Sequence, residues 1–296
     1  MTKGAFCFGE ILWDIFPNDK KIGGAPLNVA IRLSSLGVPT TITSKVGKDE
    51  LGKRILDFAQ HNGLATNHIQ QSTQFDTGKV IVSIDKEGAA TYEIAPSAAW
   101  DKIDLNTALL EAVRNSELFI FGSLAARDEV SRKTLSNLLS VAPFRVFDVN
   151  LRPPHYTYPL LKELMVNADF IKFNHEELTE ISQQMGCHSF QLEEQIHYIV
   201  KQTNTKNICV TKGSEGALLY LEGKLYTQKS FSITIVDTVG AGDSFLATLL
   251  EGILTKRRPE VSLERACAMG ALVASRQGAN PKITENELLD FIRTSA

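Results

Sequence analysis

The sequence predicts an α/β protein: a mainly parallel sheet covered by helices on both faces, with one small β excursion. Three observations point there. Short apolar, β-rich runs alternate with helical patterns along most of the chain. A hairpin pattern at 77–93 interrupts that alternation, and loops rich in Gly, Asn and Asp follow the predicted strand ends.

Runs at 5–8, 41–46, 118–121, 145–149, 170–173 and 208–211 read as buried strands, since a parallel sheet hidden on both faces needs near-continuous apolar segments. Helical patterns fill the intervals at 26–36, 50–61, 129–141, 176–185 and 192–203. Pro26 suits a first helical turn, and Gly37, Gly63 and Gly186 suit helix termination. The hairpin pairs 79–84 with 89–94 across Asp85-Lys86-Glu87-Gly88, and either extends the sheet or stands apart as a flap. A further strand at 231–236 leads through small residues into a helix carrying Phe245, Leu249 and Ile253 on one side. No internal repeat or low-complexity linker divides the 296 residues.

A chain of this length with 43% hydrophobic residues can bury a sizeable core. The net charge of -3 and isoelectric point near 6.1 argue against a nucleic-acid or membrane-surface partner. An anionic substrate must then be held by local groups. Cys7, Cys187, Cys209 and Cys267 are widely spaced and form no CxxC pair, which suits buried thiols in a reducing compartment. Glu10 and Asp14 interrupt the first apolar stretch, unlike a secretory signal, and the apolar run 266–274 is too short to span a bilayer. The expected location is cytoplasmic.

The sharpest motif is Asp237-Thr238-Val239-Gly240-Ala241-Gly242-Asp243, opening the helix that contains Phe245. Small residues leave the first-turn N–H groups uncovered, and with the helix dipole they make an anion site. A carboxylate there repels a phosphate, so Asp243 needs a purpose. It either accepts a proton from an attacking hydroxyl or caps the helix.

The string from Asp237 to Phe245 resembles the C-terminal signature of the ribokinase/phosphofructokinase-B (PfkB) carbohydrate kinases. That resemblance implies Asp243 as catalytic base and Gly240, Ala241 and Gly242 as an anion hole for the transferring phosphoryl group. Gly23-Gly24-Ala25-Pro26-Leu27-Asn28-Val29-Ala30 resembles the family's N-terminal signature. The residues themselves permit close backbone approach and offer an amide, or simply form a tight turn before a helix. With the resemblance, Gly23, Gly24 and Asn28 are expected at the sugar. Asp14 matches the family's polyol-binding Asp, and Asn150 and Arg152 belong to a segment like the fructokinase D-x-N-x-R. Val46-Gly47-Lys48-Asp49-Glu50-Leu51-Gly52 resembles a recurring segment that reads as structural.

On the nucleotide side, Asn174 and Glu177 match the family's N-x-x-E motif, which implies Mg²⁺ handling by Glu177 through water. The same residues also spell a capping box. Thr211, Lys212, Gly213 and Gly216 resemble the loop at the ATP phosphates, Lys212 replacing a small apolar residue. Gly278 and Asn280 resemble the adenine-side segment, and the carbonyls around Asp237 and Val239 imply a monovalent cation, K⁺.

Across the whole chain, the resemblance implies a ribokinase-like three-layer α/β/α sandwich over 1–296, one domain with a β-sheet lid from about 12–22 and 77–100. It implies ATP, Mg²⁺ and a small sugar as ligands, and a homodimer through the lid. Segments around Gly9–Asp14, Ala98–Asp101 and Asn150–Arg152 resemble fructokinases more than ribokinases, which implies D-fructose phosphorylated at its 6-hydroxyl. Ribose, 2-keto-3-deoxygluconate, a nucleoside, or a non-enzymatic sugar-binding regulator on the same fold are the alternatives. A P-loop kinase is excluded because no Gly-Lys is followed by Ser or Thr. A dinucleotide oxidoreductase is excluded because Gly240-Ala241-Gly242 lies far from the first strand.

Overall fold

Alternate side chains of the central strands feed two separate cores, and that alternation sets the architecture. A computed structural model describes residues 4–84 and 90–295. The chain opens with β1 (Ala5–Phe8), a short excursion through β2 (Leu12–Ile15) and β3 (Lys20–Gly23), then α1 (Ala25–Ser35), β4 (Thr40–Gly47), α2 (Glu50–His61) and β5 (Ile69–Ser72). The expected hairpin is β6 (Gly78–Ile84) and β7 (Ala90–Ile94); its turn at Asp85-Lys86-Glu87-Gly88 lies outside the described residues. Alternation then resumes with α3 (Thr107–Arg114), β8 (Leu118–Gly122), α4 (Glu129–Leu139), β9 (Arg145–Asp148), α5 (Tyr158–Val166), β10 (Phe170–Asn174), α6 (His175–Gln184), α7 (Leu192–Thr203) and β11 (Asn207–Thr211). An antiparallel pair, β12 (Ala217–Leu221) and β13 (Lys224–Gln228), precedes α8 (Ala241–Leu254), α9 (Pro259–Ala274) and α10 (Glu285–Ser295).

The large sheet runs β13-β12-β11-β10-β9-β8-β1-β4-β5, parallel from β11 to β5. Ala5 and Cys7 of β1, Ile120 of β8 and Val146 of β9 face one core with α1, α2, α8 and α9. Phe6, Phe8, Phe119, Phe121 and Phe147 face the other core with α3 to α7. Phe121 and Phe147 stack there at 5.1 Å. A strand's period of two therefore separates the aromatic core from the aliphatic one. The result is the expected three-layer sandwich.

The flap alternative holds for the hairpin. β3-β2-β6-β7 form a second sheet, with β2 parallel to β6, closed around Leu12, Val80 and Val82. The strand expected at 231–236 is a correction: the segment is irregular and pairs with no strand. β13 already ends the sheet, and the amides of Val236 and Asp237 instead share the Ala274 carbonyl at the end of α9.

The segment read as structural lies at the junction of the two sheets. Asp49 caps α2 at the Gly52 amide (2.7 Å) and also accepts from the Thr77 amide (2.9 Å) and hydroxyl (2.7 Å), where β6 begins. These bonds hold its carboxyl below the usual aspartate range despite burial. Asp49→Ala removes all three bonds. A loss of about 1–3 kcal/mol is expected, read as a lower denaturant midpoint with unchanged slope in chemical unfolding.

Candidate active site

The loops after β1, β9, β10 and β11 leave the same edge of the parallel sheet, where ligands bind in such folds. The N-terminus of α8 faces them. Gly240 there has a φ of +77°, and a β-carbon would run into the backbone of Ala279. No described side chain caps this helix. The Ala241 amide donates to the Thr238 carbonyl at 3.3 Å, while those of Gly242 and Asp243 have no described partner.

Asp243 sits in that first turn and does not cap it. Its Oδ2 accepts from Asn28 Nδ2 at 2.8 Å, and Asn28 Oδ1 accepts from Asn280 Nδ2 at 2.8 Å. Three distant segments thus lock one carboxyl. Burial pushes its pKa up to about 6, helped by the charge of Asp148; Asn28, Lys172 and Arg152 pull the other way. Such a group is ionised near neutrality yet ready to take a proton.

Beneath the turn lies a buried lysine that the motif reading did not single out. The parallel register sets Lys172 beside Asp148, and Nζ reaches Oδ1 at 2.9 Å. A β-carbon on Gly242 would stand 3.6 Å from that Nζ. Burial opposes the ammonium, but Asp148, Glu177 and Asp243 outweigh it and hold its pKa above the ordinary lysine value. Glu10 was also overlooked. It is 3% exposed, with Oε2 buried and unpartnered. Burial pushes its pKa up to about 7, with a backbone bond and Arg152 opposing and Asp243 and Asp148 adding to the rise. Both residues carried a signal: an ionisable side chain inside or directly after an apolar strand.

The other predicted residues divide into groups. Asp14, on β2, faces Gly23, where a β-carbon would come 2.6 Å from its carboxylate. Its pKa rises to about 6 through burial, against the charges of Arg152 and Lys21. Gly24 opens α1 at a φ of +115°. Arg152 is exposed, forms no ion pair among the described residues, and acts on Asp14, Glu10 and Asp243 by its charge. Asn150 has a φ of +39° at the end of β9. Asn28, expected to offer its amide to the sugar, has both amide atoms engaged by Asp243 and Asn280. Neither contact takes the second Nδ2 hydrogen.

Asn174 and Glu177 form the reciprocal capping box. Glu177 Oε1 also takes the Leu151 amide at 2.9 Å, tying the β9 and β10 loops together. Thr211, Lys212 and Gly213 follow β11, while Gly216 is fixed by close packing on Gln228 and Lys229. Asp237 accepts from the Val239 amide (3.0 Å) and the Gly278 amide (3.0 Å), joining the two loops expected around a monovalent cation. Among the described residues no cluster of three His, Cys, Asp or Glu could hold a metal. Each Glu177 oxygen already takes a backbone N–H, leaving a lone pair for water. That donor set fits a Mg²⁺ that keeps its waters and arrives with a nucleotide.

A family model described as pfkB family carbohydrate kinase matches residues 9–286, and the chain belongs to that family. Fructokinase-2 of Solanum lycopersicum is 27% identical over 98% of this chain and 96% of its own length. The crystal structure of fructokinase with bound ATP from Xylella fastidiosa superposes with a TM-score of 0.86 at 22% identity, covering 99% of both chains. A double mutant of fructokinase from Vibrio cholerae O395, in fructose-, ADP- and potassium-bound form, gives 0.84 at 22% identity over 99% of this chain and 100% of that one. The chain is thus a phosphotransferase with an alcohol acceptor on a ribokinase-like fold. Among the described residues no helix is long and apolar enough to cross a membrane.

The raised carboxyls carry a stability cost with a definite sign. A carboxyl whose folded pKa lies above its unfolded value stabilises the fold below the unfolded value and loses that contribution as pH rises through the folded one. For Glu10 the window runs from 4.5 to about 7. Glu10→Gln is expected to raise the unfolding free energy at pH 8 by on the order of 1 kcal/mol or more, with the gain vanishing below pH 4.5. Melting temperatures across that pH range check it.

Proposed function

We propose that this pfkB-family kinase transfers the γ-phosphoryl group of ATP to the 6-hydroxyl of D-fructose, with Asp243 as the base. One observation carries the reading: a carboxyl with a pKa near 6, locked by Asn28 at a helix end whose amides no side chain occupies. The near full-length similarity to a plant fructokinase supports the choice of sugar.

In this reading Asp14, Gly23, Gly24, Asn150 and Arg152 hold the sugar, while Asn28 orients Asp243. As the hydroxyl attacks, its proton passes to Asp243, a bond forms to the γ-phosphorus, and the bond to the ADP oxygen breaks. The amides of Gly240, Ala241 and Gly242 face the charge gathering on the transferring group, with Lys172 below them. Asn174, Thr211, Lys212, Gly213 and Gly216 flank the ATP phosphates, and Gly278 and Asn280 lie toward the adenine. Glu177 holds Mg²⁺ through water; the ion supplies neutralisation of phosphate charge. K⁺ binds the carbonyls around Asp237 and Val239, a reading supported by the potassium-bound form of the Vibrio cholerae fructokinase. The small sheet acts as a lid of one domain, excludes water from the sugar, and pairs with a second copy in a cytoplasmic homodimer.

Asp243→Asn is expected to lower kcat by about 10²–10⁴-fold, the span of general-base catalysis, with KM values for ATP and sugar little changed. Unaltered turnover would remove the base. For the parent chain, log kcat/KM should rise with pH and level off above about 6, where Asp243 is ionised. A rate panel of fructose, ribose, 2-keto-3-deoxygluconate and a nucleoside tests the acceptor; fructose should give the highest kcat/KM.

A further inference from the structure

A second cavity, of about 670 Å³, opens between α1, the ends of α2 and α8, and the segment 280–285. Its lining pairs Arg257 with Glu251 and Arg265 with Glu285, which leaves Arg32 and the exposed Lys282 as cations without a carboxylate. Arg32 is the informative group. It is 2% exposed and, among the described residues, forms no ion pair. Nε donates to Ser244 Oγ at 3.1 Å and Nη2 to the Pro281 carbonyl at 2.9 Å. Burial, then the charge of Arg276, lowers its pKa to about 10. A buried guanidinium with no counter-ion is costly, and an anion in the space before it would offset that cost.

Arg265 and Arg257 line the same cavity, as do Glu251 and Asn280, whose Oε2 and Oδ1 are buried and unpartnered. Arg265 is 4% exposed; it gives both terminal nitrogens to Glu285 at 2.8 Å, yet its buried Nε has no partner. Arg257 likewise bonds Glu251 at 2.8 Å and keeps a buried, unpartnered Nε. Arg32, Arg257 and Arg265 come from α1, the α8–α9 link and α9, so they approach from different directions. A planar carboxylate fits one guanidinium fork, whereas a tetrahedral oxyanion presents oxygens to several.

We propose that this cavity binds a phosphate-type oxyanion, either free inorganic phosphate or the monoester end of a small molecule, with Arg32 as its buried cation. The site is separate from the phosphate-facing turn of α8 but adjoins it. Arg32 touches Ser244, the residue after Asp243, and the lining residue Asn280 holds Asn28.

Isothermal titration of inorganic phosphate, and separately of methyl phosphate, into the full chain at fixed ionic strength tests it. A saturating non-hydrolysable ATP analogue blocks the nucleotide loops. Binding is expected to persist with the analogue present and to weaken about tenfold or more in Arg265→Gln combined with Lys282→Gln. The tighter of the two ligands identifies the free ion or the monoester. Binding abolished by the analogue, binding unchanged in the double variant, or no binding of either phosphate overturns the proposal. The double variant decides the matter even if the analogue does not bind, which would instead count against the kinase reading. Should that variant fail to fold, Lys282→Glu at an exposed position replaces it, with weaker phosphate binding expected and unchanged binding overturning.

Discussion

The hydrogen bond from Asn28 to Asp243 joins residues 215 positions apart and holds an acidic side chain at a helix end that nothing caps. Asp49 shows the other use of such a group: at the N-cap of α2 it is spent on an amide of its own helix. Here Asn28 takes the carboxyl away from the amides, so both remain available to a ligand. Asn280 completes the restraint by occupying the other end of the Asn28 amide. The glycine at 240 then serves packing as much as access, since Ala279 leaves no room for a side chain.

Charge is distributed around that restraint in a way that favours chemistry over stability. Glu10, Asp14 and Asp243 are all pushed toward protonation by burial; Arg152 pulls all three only part of the way back, joined by Lys21 at Asp14 and Lys172 at Asp243. Burying acids with incomplete compensation costs free energy. A site that must accept a proton and also approach phosphate benefits from that imbalance, because a strongly stabilised carboxylate is a weak base. Lys172 and Asp148 owe their pairing to parallel register alone, yet they supply a buried ion pair under the glycine turn.

The small sheet carries two of the segments that the sequence singles out. Asp14 projects from β2, and Gly23 and Gly24 connect β3 to α1, whose next turn carries Asn28. Asp49, Gly47 and Thr77 bind the two sheets at their junction, so any lid motion would pivot on those bonds. Family membership accounts for the phosphotransferase chemistry.

Strand and helix identities in the sandwich were legible because buried strands and amphipathic helices write different periods: β1, α2 and α7 match the sequence reading at both ends. The irregular 231–236 was not, since an apolar run gives no sign that its last amides will bond the end of α9 in place of a strand. The residues of the glycine turn were legible through their motif, and Lys172 and Glu10 announced themselves as charges within apolar stretches. The chemistry of Asp243 was decided by tertiary structure. Local sequence permits both a cap and a base; the arrival of Asn28 and Asn280 from distant segments, with burial, takes the carboxyl from the cap and raises its pKa. Sequence determines which side chains exist and their local periodicity; long-range packing determines which donors remain unpaired and how far each pKa moves.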